Sequence, residues 1–153
     1  MPAPVLYIVR GLPGSGKTTR ATQIVNEIGC DMFAADDHFM IDGEYRFDPS
    51  KLPAAHAECQ AWARSSLMRG ASVVVHNTFT QGWEATPYVR MAEAAGAIIE
   101  VIDIFDGGCY DVTLAERNVH GVPLAAITAM RNRWDADLLA AQAAEPRAPW
   151  ERG

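Results

Sequence analysis

Eight consecutive residues, Gly11-Leu12-Pro13-Gly14-Ser15-Gly16-Lys17-Thr18, carry glycines, a lysine and a hydroxyl at the spacing that cradles nucleotide phosphates. The glycines let the backbone turn tightly and aim successive N–H groups inward, which makes an anion-binding nest. Lys17 adds a point charge for the β- and γ-phosphates, and the Thr18 hydroxyl is placed to ligate Mg²⁺. A helix that starts at the end of the loop directs its positive dipole end at the same phosphates. The nucleotide-binding set read from this pattern is Gly11, Pro13, Gly14, Ser15, Gly16, Lys17, Thr18 and Thr19, with ATP and Mg²⁺ as the expected ligands.

A phosphate cradle binds a nucleotide without saying what happens to it. Asp36-Asp37 narrows the chemistry. A carboxylate across the pocket from the loop is where a base near an acceptor hydroxyl is needed, and Asp36 is the candidate. Asp37 either faces the acceptor beside it or is a structural charge. Arg117 is the third candidate catalytic residue, after Lys17 and Asp36. On a short helix before Gly121-Val122-Pro123 it could fold over the nucleotide and neutralise charge on a transferring phosphoryl group. Its plainer alternative is a surface ion pair with Glu116 or Asp111. His76-Asn77-Thr78 stands where many phosphate-loop enzymes carry a metal-binding carboxylate. Mg²⁺ would then rest on Thr18, the phosphates and Asp36 through water. Asn77 and Thr78 either hydrogen-bond the acceptor or hold a turn.

The elements that must position these groups follow from the apolar pattern. Val5 to Val9 reads as a buried parallel strand, and Thr18 to Ile28 as the helix after the loop. Asp31 to Ala35 is a second strand that delivers Asp36-Asp37 to the carboxyl edge of a sheet, where α/β folds place their ligands. His38 to Leu52 is a polar connection long enough to be functional. Pro53 to Met68 is helical, Ala71 to Val75 is a β-branched third strand, and a helix beginning at Thr80 or Pro87 ends at Ala95. Ala97 to Phe105 is the fourth strand. Asp111 caps a short helix, and Pro123 opens a last helix that runs to about Gln142 and buries Leu124, Ile127, Trp134 and Leu138. Strand–helix alternation with short links predicts a three-layer α/β sandwich of the P-loop NTPase kind, with a four-stranded parallel sheet and a helical lid. The expected domain spans residues 1–142, with the lid at about 109–123 and a frayed tail at 143–153.

The chain has 153 residues, 13 Lys and Arg against 19 Asp and Glu, and a formal net charge of −6, so no global basic field attracts nucleic acid or anionic lipid. Any nucleic-acid contact must be local. Three widely spaced cysteines argue against structural disulfides and for a reducing, cytoplasmic setting. The N-terminal apolar run is too short for a signal peptide, and Glu100 and Asp103 interrupt the other long apolar stretch, so no membrane span is expected. Oligomeric state is not encoded in any of these patterns.

From about Val5 to Trp134 the chain resembles the polynucleotide-kinase-like P-loop kinases, the family typified by the 5′-kinase domain of the bacteriophage enzyme. The resemblance rests on the phosphate loop together with Asp36-Asp37-His38-Phe39-Met40, Tyr45-Arg46-Phe47-Asp48-Pro49, Asn77-Thr78-Phe79-Thr80-Gln81-Gly82-Trp83 and Arg117-Asn118-Val119-His120-Gly121-Val122-Pro123. It implies that Asp36 acts as general base, that Lys17 and Thr18 bind phosphate and Mg²⁺, and that Arg117 belongs to the lid. Two departures stand out: Phe39 replaces an arginine that holds the acceptor's phosphate, and His76-Asn77 replaces an acidic pattern. The expected acceptor-side residues are Asp37, Phe39, Arg46, Asn77 and Thr78, with Tyr45, Phe47 and Phe39 available to stack on a base. The expected activity is transfer of the γ-phosphoryl group of ATP to a hydroxyl, with a single-stranded 5′-OH nucleic acid ahead of a small hydroxylated metabolite or nucleoside. A non-catalytic ATP-binding switch is the reading from another class.

Overall fold

The computed structural model describes residues 2–153. Strand β1 (Val5–Gly11) leads through the phosphate loop into helix α1 (Lys17–Ile28). Strand β2 (Asp31–Phe33) is followed by a 3₁₀ turn, Ala35–Phe39, and a two-stranded hairpin of β3 (Met40–Ile41) and β4 (Glu44–Tyr45). Then come α2 (Leu52–Met68), β5 (Val73–Asn77), α3 (Thr86–Ala95) and β6 (Ile98–Phe105). Three helices finish the chain: α4 (Asp111–Arg117), α5 (Leu124–Asn132) and α6 (Leu138–Ala144).

The main sheet has the order β2-β5-β1-β6 and is parallel throughout, so the strand carrying the phosphate loop lies between two neighbours. Period-2 alternation divides β1 between two cores. Leu6 and Ile8 join Val73 and Val75 under α2 and α3, against Cys59, Ala63, Leu67, Tyr88 and Met91. Val9 and Val74 face the other way, onto Ala21 and Ile24 of α1. The expected helix–sheet–helix sandwich is present, and α4 and α5 form a third cluster over the loop, around Leu12, Leu114 and Ile127. Among the described residues no helix is long and apolar enough to cross a membrane.

Several boundaries differ from the sequence reading. The second strand stops at Phe33, and Asp36-Asp37 lies in the 3₁₀ turn beyond it. The polar connection contains the hairpin, closed by Asp42 (φ 52°) and Gly43 (φ 79°) with Met40 opposite Tyr45. Positive φ at both turn residues is the geometry that Asp-Gly favours. Asp111 is the first residue of α4 and not its cap; its carboxylate is held by Thr128 and Arg131. Pro123 precedes the first turn of α5, and Leu124 is 44% exposed instead of buried.

The long last helix is interrupted between Asn132 and Leu138, and Asp137 caps α6 by accepting from the Ala140 N–H at 3.1 Å. In the segment expected to fray, Pro149–Glu151 forms a 3₁₀ turn and Ala148 is buried. Thr86 donates to the Pro146 carbonyl at 2.7 Å, and Trp150 packs edge-on to Trp83. Those contacts hold residues 146–151 against α3.

Candidate active site

The phosphate loop is shaped by its neighbours as much as by its glycines. Leu12 N–H donates to the Phe105 carbonyl at 2.8 Å, and Ser15 N–H to the Leu12 carbonyl at 3.1 Å. Gly14 has φ +81°, and a Cβ there would lie 2.6 Å from the Leu114 carbonyl oxygen. Helix α4 therefore sits directly on the loop, at a position that only glycine tolerates. A Cβ on Gly107 would in turn strike the Ser15 carbonyl.

Two features fit this cradle to phosphate. Among the described residues the buried Ser15 hydroxyl has no hydrogen-bond partner, a cost that a bound acceptor oxygen would remove. Lys17 is half-buried, and among the described residues its ammonium reaches only the Leu12 carbonyl, at 3.5 Å. Burial pushes Lys17 down to about 8, and the Asp36 charge works in the opposite direction. A cation that is desolvated and nearly without a partner suits an incoming polyanion. Thr18 and Thr19 are exposed at the mouth, where the Thr18 hydroxyl is open to a metal.

Opposite the loop, Asp36 projects from the 3₁₀ turn. Its Oδ1 accepts from the Tyr45 hydroxyl at 3.0 Å, and its Oδ2 lies 3.5 Å from His120 Nε2. Burial, then the Asp36 carboxylate, drives the Tyr45 phenol far above its ordinary range, so it stays a donor. The turn itself is pinned at two points. Asp37 accepts from the Ala34 N–H at 2.9 Å, and the Asn77 side-chain oxygen accepts from the Ala35 N–H at 2.9 Å. Asp37 Oδ2 and Asn77 Oδ1 thus hold the backbone that presents Asp36, which is the structural alternative the sequence offered for both residues. Phe39 is displaced from its expected role. At 1% exposure it packs with Ala35 and Ala55 beneath the hairpin, edge-on to Tyr45 and Phe47, and has no face for a ligand. Arg46 is exposed but paired with Glu44 at 3.1 Å, and Thr78 is half-buried. Neighbouring His76 is buried, which lowers its pKa and keeps the ring neutral.

The third wall is the lid. Arg117 is exposed, and its Nη1 lies 3.0 Å from Cys109 Sγ. Among the described residues it makes no ion pair with Glu116 or Asp111; Asp111 belongs to Arg131, which also binds Asp106 at 2.9 Å. Asn118 closes the lid turn, donating to the Leu114, Ala115 and Val122 carbonyls and accepting from the Val122 N–H at 2.8 Å.

Sequence reasoning missed a fully buried charged group near the site. Arg10, 0% exposed, extends β1 past the apolar run. Its guanidinium donates to the Phe79 carbonyl at 2.7 and 3.0 Å and to Asp103 at 3.1 Å, and lies 3.8 Å over the Trp134 ring. Burial lowers its pKa, and the Asp103 and Asp135 charges counter that.

A family profile described as an AAA domain matches residues 6–136. The chain belongs to this AAA-domain family. Human NEDD4-binding protein 2 is 35% identical over 130 residues, covering 82% of this chain, which spans 7% of that protein's length. A chain of the Pnkp1/Rnl/Hen1 RNA repair complex superposes with a TM-score of 0.70 at 19% identity, over 94% of this chain and 47% of its own. A gluconokinase from Sinorhizobium meliloti 1021 gives 0.53 at 18% identity, over 88% and 75% of the two chains. This AAA domain thus has the P-loop kinase fold, and its four-stranded parallel sheet is the one the sequence predicts.

Proposed function

We propose that this domain transfers the γ-phosphoryl group of ATP to the 5′-hydroxyl of a single-stranded nucleic-acid end. The observation that carries the reading is Asp36. Its carboxylate lies within electrostatic reach of the phosphate-loop lysine, on a turn pinned by Asp37 and Asn77. An ATP-binding switch would have no use for a base held opposite the γ-phosphate. The RNA repair setting of one structural relative supports a nucleic-acid acceptor over a sugar.

In this reading the loop N–H groups, the Ser15 hydroxyl and Lys17 hold the triphosphate. Mg²⁺ held at Thr18 would supply further neutralisation of the β- and γ-oxygens. Asp36 accepts the proton of the acceptor hydroxyl as its oxygen bonds to the γ-phosphorus. The bond from that phosphorus to the β–γ bridging oxygen breaks, and ADP leaves. Arg117, carried over the nucleotide by the lid, would meet charge as it spreads over the transferring group.

The test is transfer of label from ATP to a panel of 5′-OH oligonucleotides, nucleosides and sugars. The expected result is the highest kcat/KM with a 5′-OH oligonucleotide, and a log–log salt slope of magnitude below about 2 because few phosphates are gripped. A far higher kcat/KM for a free small molecule makes the domain a metabolite kinase, and no transfer to any acceptor leaves the switch.

A further inference from the structure

Tyr45 is the centre of an aromatic stack at the edge of the site. Phe47 lies parallel to it, 10° between planes and 6.3 Å between ring centres, and is itself 50% exposed. His120, from the lid, covers Tyr45 at 4.2 Å with a 41° tilt. Met40 and Ile41 of the hairpin are also exposed on the same two-stranded unit. Phe47, Met40 and Ile41 together expose an apolar patch beside the half-buried Tyr45 ring, and such patches mark binding surfaces.

Two geometric facts connect the stack to Asp36. The Tyr45 hydroxyl donates to Asp36 Oδ1, so the ring and the carboxylate stand one hydrogen bond apart. His120 covers both the second carboxylate oxygen and the Tyr45 ring, and among the described residues its polar and aromatic contacts are these two. Its segment, Val119-His120-Gly121, is exposed and has no regular structure. One displacement of the lid side chain therefore uncovers the oxygen that takes the proton and the ring beside it together. An acceptor that needs both must carry its hydroxyl and a flat ring close to each other. A 5′-terminal nucleoside does, with a single furanose between the two, whereas an open-chain or pyranose sugar has no π face. The local charge points the same way: the hairpin guanidinium, Arg46, engages Glu44 Oε2 through Nε and Nη2 at 3.3 and 3.1 Å, which offsets part of its charge toward an acceptor phosphate.

Resting on the kinase reading above, we propose that Tyr45 is a base-stacking platform. The nucleobase of the acceptor's terminal nucleoside displaces His120, stacks on Tyr45, and so places the 5′-hydroxyl at Asp36 Oδ2. Recognition is by the ring of the first nucleoside and not by the phosphates behind it.

The experiment compares two 5′-OH oligonucleotides of one sequence, one intact and one abasic at the terminal position so that sugar and hydroxyl remain. With the wild-type protein the abasic end should raise the acceptor KM by about 5- to 100-fold, the range for one stacked base, while the KM for ATP stays constant. Tyr45→Phe, which keeps the ring and loses only the hydroxyl, should keep that ratio and lower kcat. Tyr45→Leu should bring the ratio close to one. His120→Ala removes the displaced group and should leave the intact acceptor's KM equal or lower. Equal KM values for intact and abasic ends overturn the platform while leaving the kinase reading in place. A raised KM in His120→Ala overturns the displacement. Absence of transfer to any oligonucleotide overturns the kinase reading, and the platform with it.

Discussion

On the nucleotide side of the site the phosphate loop is held by main-chain contacts: Leu12 on Phe105, Ser15 on Leu12, and Gly14 against the Leu114 carbonyl. On the acceptor side Asp36 is held by side chains, Asp37 and Asn77 beneath it and Tyr45 and His120 around it. Main-chain contacts survive most substitutions, so the first half can stay constant while the second is retuned residue by residue. The two halves also treat charge differently. Lys17 is desolvated and nearly unpaired, whereas the Asp36 carboxylate has a contact at each oxygen. In the proposed reaction the waiting cation would bind and the oriented carboxylate would react.

If the halves are separable, Asp36→Asn should give the largest effect. Turnover falls by about 10²–10⁴-fold while nucleotide affinity, read by calorimetry, holds constant. An affinity that falls in step would make Asp36 a part of the nucleotide half. Arg117 tests the lid between the halves. Arg117→Ala should lower kcat by about 10²-fold, short of the full arginine-finger range because the exposed side chain must first be ordered. Lysine should rescue poorly, since it lacks the planar pair of donors. Wild-type turnover in Arg117→Ala would confine the lid to a structural role.

The nucleotide half has its own signature in pH. Lys17, at about 8 in the free protein, loses its proton as pH rises through that value, and bound phosphates favour the charged form. Binding above pH 8 must therefore take up a proton, so ATP affinity should fall by up to about tenfold per pH unit there. Calorimetry in buffers of different ionisation enthalpy would report the uptake. A flat profile to pH 9.5 would contradict the free, desolvated lysine. Linkage also gives the sign for folding: with a folded pKa below the ordinary 10.5, the charge opposes folding below pH 8. That opposition is relieved as pH climbs from about 8 towards 10.5.

The smallest effect should come from Asn77. Asn77→Ala removes the oxygen that holds the Ala35 N–H, a loss of about 1–2 kcal/mol of stability. Turnover should drop by no more than about tenfold with ATP affinity unchanged. Asn77→Asp, which keeps an acceptor oxygen, should recover most of both. Failure of that rescue, with a raised acceptor KM, would return Asn77 to the acceptor itself.

The phosphate loop was legible in the sequence because a phosphate cradle is a local object, eight consecutive residues that supply both its backbone and its polar side chains. Strand–helix alternation was legible for the same reason, being local pattern repeated. The acceptor half was not, since its parts meet only in space. Phe39 reads as a stacking residue until the hairpin folds over it, and Asn77 as a ligand until the turn after β2 meets the end of the parallel neighbour β5. The hairpin did have a signal, Asp42-Gly43, hidden in a stretch whose polarity suggests loop. The split between α5 and α6 has no breaker residue. It is made by Trp134 packing on Phe105 and by the Asp135 carboxylate accepting from Gly82 N–H at 2.8 Å. Only Asp137, as a cap, announced the restart. Arg10 stayed invisible because a charge after five apolar residues reads as the end of a strand.

That arginine also bears on the order in which the molecule assembles. Of the strands in this sheet β1 is translated first, yet Leu6 pairs with Val73 on one side and Ile99 on the other. Arg10 then needs Phe79, Asp103 and Trp134 before its charge is satisfied. Every one of those partners is translated later, so the first strand of the sheet to be made is among the last completed. Loop closures of this span are slow, and until they occur β1 exposes an apolar strand with two unpaired edges. The growing chain is therefore most prone to sticking in the interval before β6 arrives. Pulse-labelled hydrogen exchange would follow this directly, with the amides of β1 gaining protection together with those of β6 and not ahead of them.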